Sequence, residues 1–315
     1  MAGRPTFAVM GAGAIGGYFG GRLAAAGYDV GFIARGAQLA ALQADGLQIL
    51  SPLGDASIAP VRASDDTAEI GPVDIVFFMV KLWDTEAAAA QLAPLMGPDT
   101  VVVPFQNGIE SGARIGAVIG ADRVMPGAAF IPAAIERPGV VRHAGGFARL
   151  VFGEVDGNRS PRAESLLKAV ETAGIDATLS PSIGDVLWQK FVMLASHAGV
   201  STLARRPSGE ILGDADLRAT VAAAMTEVVA VGEAEGAAFP DDFLDQQMVL
   251  LDKFPAKVKP SMLQDFDAGR RIEIDGLSGT VVRLAAAHGV AVPVHRTIYA
   301  ALKPYKDGPP SSLRA

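Results

Sequence analysis

The sequence of 315 residues contains no cysteine, which excludes disulfide bonds, thiolate metal sites and a cysteine nucleophile. Histidine is scarce as well, with four copies dispersed along the chain. Their spacing is not that of zinc ligands, so we predict no metal site. No neighbouring residue marks any histidine as a catalytic base, and we expect structural or solvated roles for His143, His197, His288 and His295.

A concentrated basic face and a long apolar run are also missing. The formal net charge is -7, and nucleic-acid binding needs clustered positive charge, so we predict no nucleic-acid partner. Apolar runs such as residues 75–80 have the length of buried parallel strands and are too short to cross a bilayer, so we predict no membrane partner. The apolar stretch near the N-terminus belongs to a glycine motif, which argues against a signal peptide. A cytoplasmic location is the default expectation.

Glycine, in contrast, is abundant, with 36 copies, and a cluster near the N-terminus forms a motif. An apolar strand at 7–10 runs into the spacing Gly-x-Gly-x-x-Gly and then into a helix, through Gly11, Ala12, Gly13, Ala14, Ile15 and Gly16. The first glycine permits the tight turn, the second lets the backbone approach a pyrophosphate, and the third lets helix and strand pack closely. The helix start also presents free N–H groups to the phosphates. A glycine-rich turn without a ligand is the alternative; we predict a dinucleotide site.

The residue after the second strand predicts which dinucleotide binds. NAD-selective sites place Asp or Glu about 20 residues past the motif, where it accepts hydrogen bonds from the ribose hydroxyls. The strand at 29–33 is instead followed by Ala34, Arg35 and Gly36. The planar, permanently charged guanidinium of Arg35 suits a 2′-phosphate, so we predict NADP(H) as the cofactor. A solvated surface arginine is the alternative.

Strand and helix patterns alternate over the first half of the chain. Strands are predicted at 7–10, 29–33, 74–80, 100–104, 124–131, 149–152 and 176–179, a β-hairpin at 47–61, and helices at 14–26, 37–45, 85–95, 110–119 and 162–173. Such alternation is typical of a doubly wound parallel sheet. We therefore predict an α/β, Rossmann-type NADP-binding domain over residues 1–180.

The pattern changes after residue 182, where helical periodicity replaces almost all strand signal. Helices are predicted at 183–202, 217–235, 241–251, 277–288 and 297–306. Prolines and glycines punctuate these segments, as expected between helices. The prediction is an all-helical substrate and catalytic domain over residues 181–315, and a chain of this length has room for two cores.

Polar residues follow two predicted strands at the edge where ligands of open parallel sheets bind. Lys81 follows the apolar run at 77–80, and Asn107 follows the run at 101–105. Asn107-Gly108 is also a strong turn former, and Lys81 has the alternative of a plain surface cation. Their shared placement at the cofactor edge favours a functional role for both.

The helical half contains a lysine among apolar neighbours. Lys190 lies among Val186, Leu187, Phe191 and Leu194, and a partly buried lysine is a usable proton donor because desolvation lowers its pKa. Most helical lysines are solvated, which is the alternative. A buried carboxylate needs a cationic partner, and Lys190 is the candidate partner of the Glu273 carboxylate.

Two further candidates follow Pro260. Ser261 either contacts a ligand or begins a capping box that Gln264 completes. Glu273 lies between Ile272 and Ile274, which places a carboxylate at the edge of a core in either a helix or a strand.

Together these residues resemble those of the ketopantoate reductases (2-dehydropantoate 2-reductases), over essentially the whole chain. The matching segments are the glycine motif, Arg35, Lys81, residues 104–108 (Pro-Phe-Gln-Asn-Gly), 188–190 (Trp-Gln-Lys), 207–210 (Pro-Ser-Gly-Glu), 261–265 (Ser-Met-Leu-Gln-Asp) and Glu273. The resemblance implies that NADPH reduces a 2-keto acid, with 2-dehydropantoate going to pantoate in pantothenate and coenzyme A biosynthesis.

The resemblance also implies residue roles. Lys190 is the general acid, Glu273 lies beside it and the nicotinamide end of the cofactor, and Asn107 and Ser261 contact substrate. Lys81 lines the cofactor cleft, and Asn107 is also a cofactor contact. One position departs from the family: an asparagine that normally follows the lysine by four residues is Leu194 here. Ser196 and His197 are the candidates to replace its polar contact.

The sequence leaves three functions open. The first is ketopantoate reduction, the second is reduction of another, more apolar 2-keto acid, and the third is a redox-sensing NADP(H)-binding protein without catalysis. The oligomeric state is open too, with a homodimer as one candidate.

Overall fold

The computed structural model describes residues 4–310. The described residues up to Val186 form one compact unit, and those from Leu187 onward form a second. Strands occur in the first unit, whereas the described part of the second contains helices and loops. The predicted succession of an α/β half and a helical half is therefore confirmed, while the predicted functional boundary between residues 180 and 181 stays a prediction.

Short strands and helices alternate through the first unit. Its elements are β1 (Phe7–Met10), α1 (Ala14–Ala25), β2 (Val30–Ile33), α2 (Gly36–Asp45), β3 (Leu47–Leu50), β4 (Ala56–Ile58), β5 (Arg62–Ser64), α3 (Thr67–Ile70), β6 (Val73–Phe78), α4 (Thr85–Ala89), β7 (Met96–Pro104), α5 (Ser111–Ile119), β8 (Gly127–Phe130), β9 (Ala133–Arg137), β10 (Val140–His143), β11 (Arg149–Phe152), α6 (Pro161–Thr172) and β12 (Asp176–Leu179). The single helix predicted at 85–95 is instead α4 and a separate 3₁₀ turn at Ala93–Leu95.

Five parallel strands form the central sheet, in the order β5-β2-β1-β6-β7. The chain runs outward from β1 in one direction through β2 and β5, and in the other through β6 and β7. Strand order therefore reverses between β1 and β6, which is the point where open α/β sheets bind ligands. This sheet confirms the predicted doubly wound fold.

Two smaller sheets complete the first unit. Strands β4 and β3 form the predicted antiparallel hairpin, and β10 and β9 extend it to a sheet of four strands. A three-stranded sheet has the order β12-β11-β8.

Helix α1 fits between the central sheet and the four-stranded sheet because it is rich in glycine. A Cβ atom on Gly20 would lie 2.5 Å from Val9 of the central sheet. On the other side, a Cβ on Gly17 would lie 2.8 Å from Val141, and one on Gly21 would lie 2.7 Å from Ile49. Only helix positions without side chains allow both approaches, so glycines beyond the ligand motif serve packing.

Aromatic rings link the strands of the core. Phe7 contacts Phe77 at 5.6 Å between ring centroids, and Phe77 contacts Phe105 at 5.1 Å, both edge to face. Phe105 in turn meets Phe152 of β11 at 6.5 Å. All four rings are fully buried, so the series holds the end of β7 against its neighbours.

Helix α7 (Ile183–Ala204) leads into the second unit. The other helices are α8 (Ser208–Gly213), α9 (Ala215–Ala234), α10 (Phe243–Asp252), α11 (Ser261–Asp267), α12 (Ser278–His288) and α13 (Pro293–Leu302), and a 3₁₀ turn follows at Lys303–Tyr305. No helix within residues 4–310 has the length and apolarity needed to traverse a lipid bilayer.

A buried polar cluster joins three helices of the second unit. Glu227 of α9 accepts hydrogen bonds from the backbone N–H groups of Val294 and His295, at 2.7 and 2.9 Å, and so caps α13. The His295 ring lies 3.2 Å from the Ser278 hydroxyl and 3.2 Å from the Ala224 carbonyl oxygen. His295 is therefore a satisfied core residue, as expected from the sequence.

Candidate cofactor and active site

The structure brings four predicted groups to one edge of the central sheet. Strands β2, β1, β6 and β7 are parallel neighbours, so their carboxyl ends lie side by side. Gly11 follows β1, Arg35 comes after β2, Lys81 follows β6, and Asn107 follows β7. The candidate cofactor residues of the first unit thus share the edge where such sheets bind ligands.

The turn after β1 has the geometry of an anion site. Gly11 has a φ of +98°, a conformation that favours glycine, and the N–H groups of Gly11 and Ala12 donate to the Ile33 carbonyl at 3.2 and 3.0 Å. Helix α1 then begins at Ala14 with no side-chain cap and no acidic residue in its first turn. The first N–H groups of a helix lack intrahelical partners, so they are suited to phosphate oxygens.

The space around the three glycines fits a dinucleotide. A Cβ on Gly11 would lie 2.9 Å from the backbone nitrogen of Val80, and one on Gly16 would lie 2.3 Å from the carbonyl oxygen of Gly11. A Cβ on Gly13 would meet nothing within 4 Å. The outer glycines are therefore required by close backbone packing, and the middle one leaves the room that a pyrophosphate needs.

Gln38 of α2 holds this turn in place, although it was not among the predicted site residues. Its Nε2 donates to the Ala12 carbonyl at 3.0 Å, and its Oε1 accepts from the Gly139 N–H at 3.0 Å. A glutamine on a helix surface carries no sequence signal for such a contact.

Arg35 reaches across the sheet edge to a carboxylate. Its Nη2 lies 2.6 Å from Oδ2 of Asp84, in the 3₁₀ turn Leu82–Asp84 after β6. The Arg35 side chain is 77% exposed and that of Asp84 is 28% exposed, so the cation is accessible while its partner is half-buried. Asp84 was not among the predicted site residues.

The segment that carries Lys81 and Asp84 is held from two sides. Gln106, at the end of β7, donates from Nε2 to the Val80 carbonyl at 2.8 Å and to the Thr85 hydroxyl at 3.0 Å. Arg114 of α5 donates to the Leu82 carbonyl at 3.0 Å. These bonds end on both flanks of the 3₁₀ turn and on its first residue, so they fix its position.

Lys81 is exposed at this edge, with its Nζ 5.5 Å from the centroid of the Trp83 ring. Asn107 is half-buried next to the buried Gln106. Both therefore occupy the predicted edge, and their roles toward a ligand stay predictions.

In the second unit, Lys190 and Glu273 come together. Lys190 is half-buried on α7, and desolvation lowers its pKa to about 8, although the negative charge of the nearby Glu273 carboxylate acts in the opposite direction. Glu273 is only 6% exposed. It lies in the loop before α12, which corrects the expectation of a helix or strand. The structure thus places the Glu273 carboxylate where its charge acts on Lys190, and an ion pair between the two side chains stays a prediction.

Ser261 is exposed as the first residue of α11. The capping-box alternative is wrong, because the N-cap position is Pro260 and no side chain caps the helix. Gln264 instead donates from Nε2 to the Lys259 carbonyl at 2.8 Å. A ligand contact by Ser261 stays a prediction.

Comparison with known proteins decides the family. Residues 7–157 match the family model "Ketopantoate reductase PanE/ApbA", and residues 182–306 match "Ketopantoate reductase PanE/ApbA C terminal". The chain belongs to the ketopantoate reductase family. The predicted resemblance is confirmed, and with it the prediction of an oxidoreductase.

Relatives span nearly the whole of this ketopantoate reductase family member. A 2-dehydropantoate 2-reductase of Mesorhizobium japonicum is 35% identical over 88% of this chain and 90% of its own. The uncharacterized oxidoreductase YkpB of Bacillus subtilis is 31% identical over 95% of this chain and 98% of its own. The crystal structure of 2-dehydropantoate 2-reductase from Geobacter metallireducens GS-15 superposes with a TM-score of 0.89, at 29% identity, over 94% of this chain and 99% of that one.

The residue that departs from the family pattern, Leu194, lies on α7, the helix that carries Lys190. Leu194 is half-buried one helical turn beyond Lys190, so the two side chains share a face. His197 is nearly two turns beyond, but it is 5% exposed and its ring bonds the Ser208 hydroxyl at 3.0 Å. Ser196 lies on another face and is fully buried. The half-exposed position next to Lys190 is therefore apolar.

Within the described residues 4–310, no group of three or more histidine, aspartate or glutamate side chains is arranged to hold a metal ion.

Proposed function

We propose that this chain reduces a 2-keto acid to a 2-hydroxy acid with NADPH, and that its substrate is 2-dehydropantoate. The observation that carries the proposal is Lys190, a half-buried lysine with its pKa lowered to about 8 beside the buried Glu273. Family membership and the glycine turn support a nicotinamide cofactor. The exposed guanidinium of Arg35 supports the choice of NADPH.

The bound cofactor supplies the hydride to the carbonyl carbon. The chain then has to manage the negative charge that develops on the carbonyl oxygen. Lys190 donates a hydrogen bond from Nζ to that oxygen and transfers one proton to it, which leaves a neutral amine and a hydroxyl group. Glu273 favours the protonated lysine before the reaction, because its charge raises the lysine pKa.

The remaining candidate residues bind rather than react. Asn107 and Ser261 hold the keto acid, and Asn107 and Glu273 also contact the cofactor. Arg35, Lys81 and the turn formed by Gly11, Ala12, Gly13, Ala14, Ile15 and Gly16 hold the rest of the cofactor. In this proposal residues 1–180 bind NADPH, and residues 181–315 provide the substrate and catalytic residues.

Leu194 favours a second candidate, reduction of a more apolar 2-keto acid. A leucine beside the reacting lysine leaves a substrate hydroxyl without a partner, which costs about 1–3 kcal/mol. We expect 2-dehydropantoate to give the largest kcat/KM in a panel that also contains 2-ketoisovalerate and phenylglyoxylate. A preference for the apolar acids would replace the first candidate with the second.

The variant Leu194→Asn is the matched test of this position. We expect it to raise kcat/KM for 2-dehydropantoate about tenfold or more relative to the apolar acids, because it restores a partner for the hydroxyl. Unchanged relative values would show that Leu194 does not face the substrate. Tight NADPH binding with no oxidation by any keto acid would instead favour the redox-sensor function.

Arg35→Ala tests the cofactor assignment. We expect the Kd for NADPH, measured by fluorescence titration, to rise about tenfold or more, while the Kd for NADH changes little, because only NADPH carries the 2′-phosphate. Equal weakening of both cofactors would show that Arg35 does not bind the phosphate.

A further inference from the structure

The only described partner of the Arg35 side chain is a carboxylate at the same sheet edge. Nη2 of Arg35 and Oδ2 of Asp84 are 2.6 Å apart, and the two residues follow different strands of the sheet. Asp84 belongs to the segment that Gln106 and Arg114 hold in place, whereas the long arginine side chain is 77% exposed. The carboxylate is thus the fixed member of the pair.

We propose that Asp84 is a specificity-determining residue that reduces the preference of this site for NADPH over NADH. The inference rests on the proposed function, because it assumes that Arg35 binds the 2′-phosphate. It adds to the glycine motif and Arg35 an acidic residue near the adenosine ribose of the cofactor, contributed by the segment that follows β6.

Competition for the guanidinium lowers the affinity for NADPH. A 2′-phosphate on Arg35 brings close to two negative charges next to the Asp84 carboxylate, and like charges at this separation repel. The phosphate must either share the guanidinium with Asp84 or displace it. NADH carries no 2′-phosphate and does not meet this repulsion.

The same carboxylate supports NADH binding. NAD-selective sites use Asp or Glu to accept hydrogen bonds from the ribose hydroxyls, and this chain lacks an acid directly after β2. Asp84 lies within hydrogen-bonding distance of Arg35 and supplies an acceptor at that end of the sheet edge. Both effects act in one direction, toward a smaller ratio of the two affinities.

Asp84→Asn in the full-length protein tests the proposal, with Kd values for NADPH and NADH from fluorescence titration without keto acid. We expect the ratio of the NADH Kd to the NADPH Kd to rise about tenfold, and to fall back as salt is added because the effect is electrostatic. The control is Asp29→Asn, which removes an exposed carboxylate beside Arg62 at the opposite end of β2 and should leave the ratio unchanged. A ratio that stays constant or falls in Asp84→Asn overturns the proposal.

The two single variants separate this inference from the proposed function, and the double variant Arg35→Ala/Asp84→Asn measures the coupling between the two residues. If Arg35→Ala weakens both cofactors equally, the role of Arg35 fails, and the Asp84 inference fails with it. If Arg35→Ala weakens NADPH alone and Asp84→Asn leaves the ratio unchanged, only the Asp84 inference fails. The inference expects a smaller effect of Asp84→Asn in the double variant, because part of it acts through Arg35.

Discussion

Replacing Lys190 with alanine should lower kcat for 2-dehydropantoate by about 10²-fold or more, while the Kd for NADPH changes little. The loss is the usual scale for removing a general acid, since the alkoxide then has no nearby proton donor and no compensating positive charge. Stopped-flow or steady-state oxidation of NADPH measures kcat, and fluorescence titration measures the cofactor affinity. The control is Lys253→Ala, at an exposed lysine just after α10. An unaltered kcat in Lys190→Ala would remove Lys190 from its proposed role.

The pH dependence provides a second readout for the same residue. In the proposed mechanism the acid form of Lys190 is the active one, and the pKa of this lysine is lowered to about 8. Turnover should therefore be highest below pH 8 and fall as the pH rises through that value. In Glu273→Gln the falling limb should move to lower pH, because the carboxylate that raises the lysine pKa is gone. A falling limb at an unchanged pH would show that Glu273 does not raise the pKa of Lys190.

Much of the fold could be predicted because buried parallel strands leave a clear signal. β1 and β11 are short apolar runs with sharp ends, and both lie at their predicted bounds. β9 was missed because it is an exposed, charged segment that becomes a strand only by pairing with β10. Local strand propensity carries no information about such a partner. The short helix α8 was missed as well, since six residues hold too few turns for a periodic pattern. The start of α11 was anticipated only through the capping-box alternative at Ser261.

The candidate site shows the same division between local and distant information. Parallel strands place their carboxyl ends together, so the shared edge of Lys81 and Asn107 follows from the strand pattern alone. The Arg35–Asp84 pair joins residues 49 positions apart, and no spacing rule covers a contact of that kind. The pairing of Lys190 with Glu273 was predicted because a buried carboxylate requires a cation, and the family resemblance implied the same two neighbours.

Lowering the pH from 7 to 5 should destabilise the folded protein by about 4 kcal/mol, through two buried histidines that have no role in the proposed mechanism. Burial lowers the pKa of His197 and of His295 from 6.5 to about 4. Each ring is therefore neutral in the folded protein but gains a proton in the unfolded chain below pH 6.5. The resulting stability is fully present above pH 6.5 and is lost as the pH falls toward 4, at about 1.4 kcal/mol per pH unit for each histidine.

Urea unfolding of the wild type and of His295→Asn at pH 7 and pH 5 measures this effect. The variant should be less stable at pH 7, because the contacts of the ring with Ser278 and Ala224 change, but it should lose about 2 kcal/mol less than the wild type between the two pH values. His288→Asn, at the partly exposed ion pair with Glu235, is the control without a buried ring. If His295→Asn does not fold, NMR titration of the wild type decides: the imidazoles of His197 and His295 should stay neutral at pH 5. Protonation of both rings by pH 5 would contradict the prediction, because a ring that already binds a proton in the folded protein at this pH costs no stability on acidification.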